Sequence, residues 1–147
     1  MAARTRLEKA ADIAFRRLET VGRQTNHLPV EVRTLILIYT AQGIIDNGGL
    51  QYFFESNFED AQPYEAFSDA YRVIGATTAA DCLDKAIGLF PFAQPHLDAE
   101  RRNAVLETLR RDGDSEFAKL DLQLCGDKHV WECLSQYVDA HRVALGV

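Results

Sequence analysis

Residues 30–58 read VEVRTLILIYTAQGIIDNGGLQYFFESNF, and how this stretch is read decides the fold. In its first half Val32, Leu35, Ile36, Leu37, Ile38, Tyr39, Ala41, Ile44 and Ile45 leave almost no polar stripe. A helix that is apolar all round is one surrounded by protein, so residues 30–46 are expected to form the central helix of the fold. Residues 34–39 also have the β-branched content of a buried strand, but no partner strand pattern occurs elsewhere in the chain. Gly43 lowers helix propensity within the run, and a close helix–helix approach would explain its presence.

The second half turns a corner. Asn-Gly between apolar runs can announce a two-residue hairpin. Here the preceding run has helical spacing, so Asp46, Asn47, Gly48 and Gly49 read as a helix–helix corner, with Asn47 or Gly48 in the left-handed conformation. Gly49 would then let a short aromatic helix, 49–56, begin close by, carrying Gln51, Tyr52, Phe53 and Phe54. Phe53, Phe54 and Phe58 would pack back on the central helix.

Working outward, helical periodicity recurs along the chain. Leu7, Ala10, Ala11, Ala14, Phe15, Leu18 and Val21 follow an i, i+3, i+4, i+7 pattern. Further helices are expected over 63–74, 79–90, 99–111, about 114–124 and about 128–145. Thr78 and Asp81 are spaced as a capping box, and Asp98 and Asp114 stand where N-caps belong. The expectation is one all-α domain over 1–147, with about seven or eight helices around the central one.

Length and composition fit a soluble globular domain: 147 residues, 47% hydrophobic and 26% charged. The longest purely apolar run, 35–39, is far below the roughly 20 residues of a membrane-spanning helix. The N-terminal residues have no uninterrupted apolar core, so the protein is expected to be cytoplasmic, with no membrane partner. Three cysteines without CxxC spacing argue against a disulfide framework or a zinc knuckle, and Cys82, Cys125 and Cys133 read as buried free thiols. His129, Glu132 and Cys133 share a helical face but have no evident further donor, so no metal and no cofactor are expected. Residues 112–123 fail as a calcium loop, with Phe117 and Gln123 at its two defining positions. Arg101-Arg102 and Arg110-Arg111 read as a solvated charged face beside Glu100, Glu107 and Asp112. No catalytic order or phosphate loop is legible, and the protein is read as a non-enzyme with no catalytic residues.

Charge is more informative. The net charge of −6 argues against direct nucleic-acid binding. Between Arg33 and Arg72 there is no Lys or Arg, but six acids: Asp46, Glu55, Glu59, Asp60, Glu65 and Asp69. Glu55/Glu59 and Glu65/Asp69 are i, i+4 like-charge pairs, which would destabilise an exposed helix by about 0.2–0.5 kcal/mol each. An array kept against local stability suggests an electrostatic docking surface for a basic protein, with Glu55, Glu59, Asp60, Glu65 and Asp69 as contacts. The rival is a small-molecule or enzyme site at the corner, lined by Asp46, Asn47, Gln51, Tyr52 and Ser56.

Three stretches carry a family resemblance. Residues 45–57, IDNGGLQYFFESN, are similar to an Asn-Asn-Gly-Gly-Phe-x-x-Tyr/Phe-Phe-x-Asn/Ser signature, with Asp46 and Leu50 departing from it. Ile74-Gly75-Ala76, followed by Ala79, Ala80, Ala86 and Phe90-Pro91, is similar to an Ile-Gly-Ala helix pair. Residues 114–121, DSEFAKLD, resemble an Asp-x-x-Phe-x-x-Leu-Asp element. Over roughly 34–140 the chain thus resembles the DNA-mimic protein 19 family. That resemblance implies an all-α fold and a homodimer and, from the family's founding member, an acidic surface that copies DNA and occupies the DNA-binding face of a transcription factor. An immunity-type protein that neutralises a toxin would carry the same features.

Overall fold

The computed structural model describes residues 4–58 and 60–147; Glu59 lies outside the described residues. Eight α-helices and no strand occur among them. They are α1 (Arg6–Thr20), α2 (Val30–Glu55), α3 (Tyr64–Val73), α4 (Thr77–Ile87), α5 (Ala99–Arg110), α6 (Glu116–Leu124), α7 (Lys128–Ala140) and α8 (Arg142–Leu145). Short 3-10 turns at Thr25–His27 and Pro95–Leu97 bridge two of the connections.

Helix α2 is the axis of the molecule, and α1, α3, α5, α6, α7 and α8 all contact it. Its apolar circumference explains this placement: Leu35, Ile38, Ala41, Ile45 and Leu50 have no solvent exposure. The helices that contact it cover α2 with their apolar faces, while α4 packs on α3 and α6 instead. Full burial of one such aliphatic side chain is worth roughly 1.5–3 kcal/mol, so the axis dominates the stability of the fold.

The central and aromatic helices expected from the sequence are continuous, bent at one residue. Gly49 has φ 74° and ψ −175°, while Asn47 and Gly48 remain within the helix. The left-handed cap expected at Asn47 or Gly48 is therefore not formed. Gly49 occupies a backbone region open essentially only to glycine. A Cβ there would also lie 2.6 Å from Asp121 Oδ1. The same oxygen accepts a 2.6 Å hydrogen bond from the Leu50 N–H, so Asp121 of α6 caps the restarted helix. Beyond the bend, Phe53 and Phe54 are fully buried against Tyr64 and Phe67 of α3 and Phe90 after α4, at ring separations of 4.9–5.6 Å.

Other local expectations are corrected. Gly43 has no atom within 4 Å of where its Cβ would be, so no close helix approach accounts for it. No capping box forms at Thr78, because α4 starts at Thr77 and Asp81 turns to Arg72 instead. Ser115, not Asp114, caps α6, through a 3.1 Å bond from the Ala118 N–H. The last helix breaks at His141 into α7 and α8. Asp98 caps α5 as its spacing suggested.

Replacing Gly49 by Ala should destabilise the fold by about 1–3 kcal/mol, from positive-φ strain and crowding of Asp121. Urea unfolding followed by far-UV circular dichroism measures this. A loss no larger than that of Gly43→Ala, where space is open, would contradict the constraint.

Candidate functional site

The corner that carries the family signature is held by a polar node. Gln42 has no solvent exposure, and all its side-chain partners are protein. Its Nε2 donates to Asp46 Oδ1 at 2.7 Å and to the Leu124 carbonyl at 2.9 Å, and its Oε1 accepts from the Tyr71 hydroxyl at 2.9 Å. Burial pushes the Tyr71 hydroxyl far above its usual range, keeping it a donor. Asp46 also accepts from the Gly126 N–H at 2.8 Å, and from Trp131 Nε1 at 2.8 Å. Both its oxygens are therefore engaged in joining α2 to α6 and α7.

The rest of the corner is likewise engaged locally. Asn47 donates to the Gly43 carbonyl at 3.0 Å, and Gln51 donates to Glu55 at 2.8 Å. The Tyr52 side chain lies over Gly48, where an added Cβ would come within 2.5 Å of the ring. Tyr52 is 55% exposed, unlike its neighbours Phe53 and Phe54. Gln42, the centre of this node, went unnoticed in the sequence; its signal was a lone amide in an otherwise apolar helix.

Of the five acids expected to form a docking surface, the four described ones line three different grooves. Glu55 lines a shallow groove of about 140 Å³ between the end of α2 and α5, with Asn103 and Arg110. Asp60 lines a different, mainly apolar groove, and its Oδ2 accepts from the backbone N–H and hydroxyl of Thr25 and from Gln62. Glu59 lies outside the described residues. Glu65 and Asp69 stay together on the exposed side of α3, lining a groove of about 310 Å³ between α3 and the start of α2. Val30 and Val73, 57% and 53% exposed, line the same groove.

Two acids outside the expected docking set, Asp81 and Asp84, join Asp69. Arg72 sits 3.5 Å from Asp69 and 3.2 Å from Asp81, and also pairs with Asp84. Three carboxylates thus converge on one guanidinium, whose pKa they raise, chiefly through the hydrogen bond to Asp84. They meet because α3 and α4 form a tight hairpin turning at Gly75, whose φ is 88°. Sequence spacing alone does not bring residues 69, 72, 81 and 84 to one place.

Arg102 corrects the reading of a solvated arginine face. It is 1% exposed and donates to three neutral acceptors: the Phe54 carbonyl at 2.9 Å, the Pro95 carbonyl at 2.8 Å and Asn57 Oδ1 at 2.6 Å. Phe54 is in the last turn of α2, where unpaired carbonyls and the helix dipole favour a cation. Arg101 beside it stays outside, with its guanidinium 4.4 Å above the Phe92 ring.

The thiols show no sign of activation. Cys82 and Cys133 are buried, but Cys125 is exposed, against the expectation that all three would be inside. Burial pushes the Cys82 thiol up to about 11, and it also raises those of Cys125 and Cys133. That is the direction opposite to a nucleophile's. His129 Nε2 lies 3.4 Å from Cys133 Sγ, and no group of three or more potential metal ligands occurs among the described residues. No described helix is long and apolar enough to cross a membrane.

Asp46, Gly49 and Asp121, which build the corner, fall within the resembling stretches, and the DMP19-like protein model matches residues 26–141. The chain belongs to the DMP19-like family. That span takes in the whole axis helix and every helix from α2 to α7, so the family match and the described fold cover the same body. No curated protein and no solved structure matches the chain.

Asp46→Ala should cost about 1–3 kcal/mol, because it removes the acceptor of the part-buried Trp131 Nε1–H and one acceptor of Gln42 Nε2, whereas the exposed Gly126 N–H can turn to water. Trp131 is the only tryptophan, so its fluorescence reads the loss of that bond directly, beside the urea midpoint. The thiols give a pH prediction. The folded Cys82 pKa of about 11 lies above a thiol's ordinary value of 9.0, so the unfolded state loses this proton first as pH rises. Its contribution is intact below about pH 9 and fades toward about pH 11. Urea midpoints should therefore fall over that window, with a shallower fall in Cys82→Ala, and Cys125 should be the first thiol to react with Ellman's reagent.

Proposed function

We propose that this chain is a non-enzymatic interaction module whose α3–α4 surface docks a basic protein, as a DNA mimic would face a DNA-binding regulator. The observation that carries this reading is the convergence of Asp69, Asp81 and Asp84 on the single Arg72, beside Glu65 in an open groove. Arg72, and Arg33 on the groove wall, offset two of the four carboxylates Glu65, Asp69, Asp81 and Asp84, so this surface retains excess negative charge. Exposed ion pairs contribute little to stability individually, so such an array is better suited to steering and selecting a partner. Val30 and Val73 add what pure charge lacks, an apolar strip that a partner's aliphatic side chain can cover.

Glu55 faces another groove and Asp60 is bonded to Thr25, so the docking role rests on Glu65 and Asp69, joined by Asp81 and Asp84. The engagement of both Asp46 oxygens favours docking over a ligand site at the corner. Membership of the DMP19-like family supports the same reading, since the family's founding member is a DNA mimic.

The test is retention of purified basic DNA-binding proteins on the immobilised chain at low salt, with duplex DNA as competitor. The variant Glu65→Gln/Asp69→Asn/Asp81→Asn/Asp84→Asn should lose most retention while keeping its fold. DNA should displace the partner from the unaltered chain. Retention by the variant at the original level would defeat the proposal.

A further inference from the structure

One groove on this acidic chain is basic. About 600 Å³ of open space lies between α1 and the C-terminal residues, with Arg4, Arg6, Lys9, Arg16 and Arg142 around it. Among the described residues, Asp12 is the only acidic side chain that lines the groove with them. Four of these cations lie within residues 1–33, whose excess of basic residues has no part in the docking surface on α3 and α4. Folding of α8 beside α1 adds Arg142 from the far end of the chain.

Internal pairing leaves this charge incompletely offset. Asp12 accepts from Arg4 at 2.6 Å and lies 3.6 Å from Arg16, so one carboxylate serves two guanidiniums. The Arg4 hydrogen bond is the main cause that holds the Asp12 carboxyl below its usual range. Arg6 pairs with Asp139 at 2.6 Å. Lys9 and Arg142 have no carboxylate partner among the described residues. Ile13 and Val147 supply apolar wall, beside which charges interact more strongly than in open water.

We propose that this groove binds a compact multivalent oxyanion, a small molecule with two or more phosphate or carboxylate groups. Guanidinium forks match such groups in pairs of parallel hydrogen bonds, and four of the five cations are arginines. The overall charge of −6 repels an extended polyanion, whereas a small anion interacts mainly with the charges within a Debye length of it. Lys9 and Arg142, uncommitted inside the protein, make the first contacts, and Arg16 can turn from its 3.6 Å contact to join them.

Tripolyphosphate and citrate, titrated separately at low ionic strength, test the proposal by calorimetry and by amide chemical shifts of the full chain. At least one should bind with a simple saturable isotherm, with shifts concentrated at Lys9, Ile13, Arg142 and Gly146. The tighter of the two identifies the preferred group. Lys9→Gln/Arg142→Gln should weaken binding about tenfold or more, from loss of two nearby charges. Lys85→Gln/Lys119→Gln, with the same change in net charge outside the groove, should leave it unaltered. Thermal melts confirm that each variant is folded. Absence of binding by both anions, or equal weakening by the two variants, would overturn the site.

Discussion

A primary amide without solvent contact must find every partner inside the protein, and Gln42 does so at the centre of α2. Its three hydrogen bonds reach Asp46 on its own helix, the end of α6 and Tyr71 of α3. Asp46 extends the network to Trp131 and to the turn before α7. Apolar packing alone would leave the covering helices free to slide along an axis that is greasy all round. Directional bonds in a low-dielectric interior cannot slide without leaving donors or acceptors unpaired, at roughly 1–3 kcal/mol each. This network gives α3, α6 and α7 their register on the axis.

The bend at Gly49 is the second consequence. It redirects the last turn of α2 so that Phe53 and Phe54 enter the aromatic cluster shared with α3. Two side chains from elsewhere in the chain hold this segment: Asp121 at its start and Arg102 at its end. An acid at the N-terminal end and a cation at the C-terminal end match the helix dipole. The α3–α4 hairpin packs on this braced segment, so the acidic surface rests on a rigid support rather than on a loop.

How much was legible varied with the range of the interaction. The central helix, its surroundings and the Asp98 cap rest on local periodicity or local spacing, and each was read correctly. The glycine corner is legible, but not which residue bends, because Asp121, which crowds Gly49, lies 72 positions away. Arg102 reads as a surface residue in any window, since its acceptors are carbonyls and an amide from distant turns. The acidic site was half legible: Glu65 and Asp69 share one helix face, whereas Asp81 and Asp84 join Arg72 only through the hairpin. The basic groove was legible only as a charge imbalance in residues 1–33, without the Arg142 contribution.

By itself the sequence determined an all-helical body with one apolar axis, an acidic middle, a basic beginning and a glycine at the corner. These follow from side-chain chemistry repeated at helical spacing, which acts within a few turns. Only the tertiary structure decided which charges become neighbours, which arginine is buried and which glycine bends. Those outcomes depend on hydrogen bonds and ion pairs between residues far apart in the chain. Such contacts form only after the covering helices have docked on α2, and no local pattern encodes them.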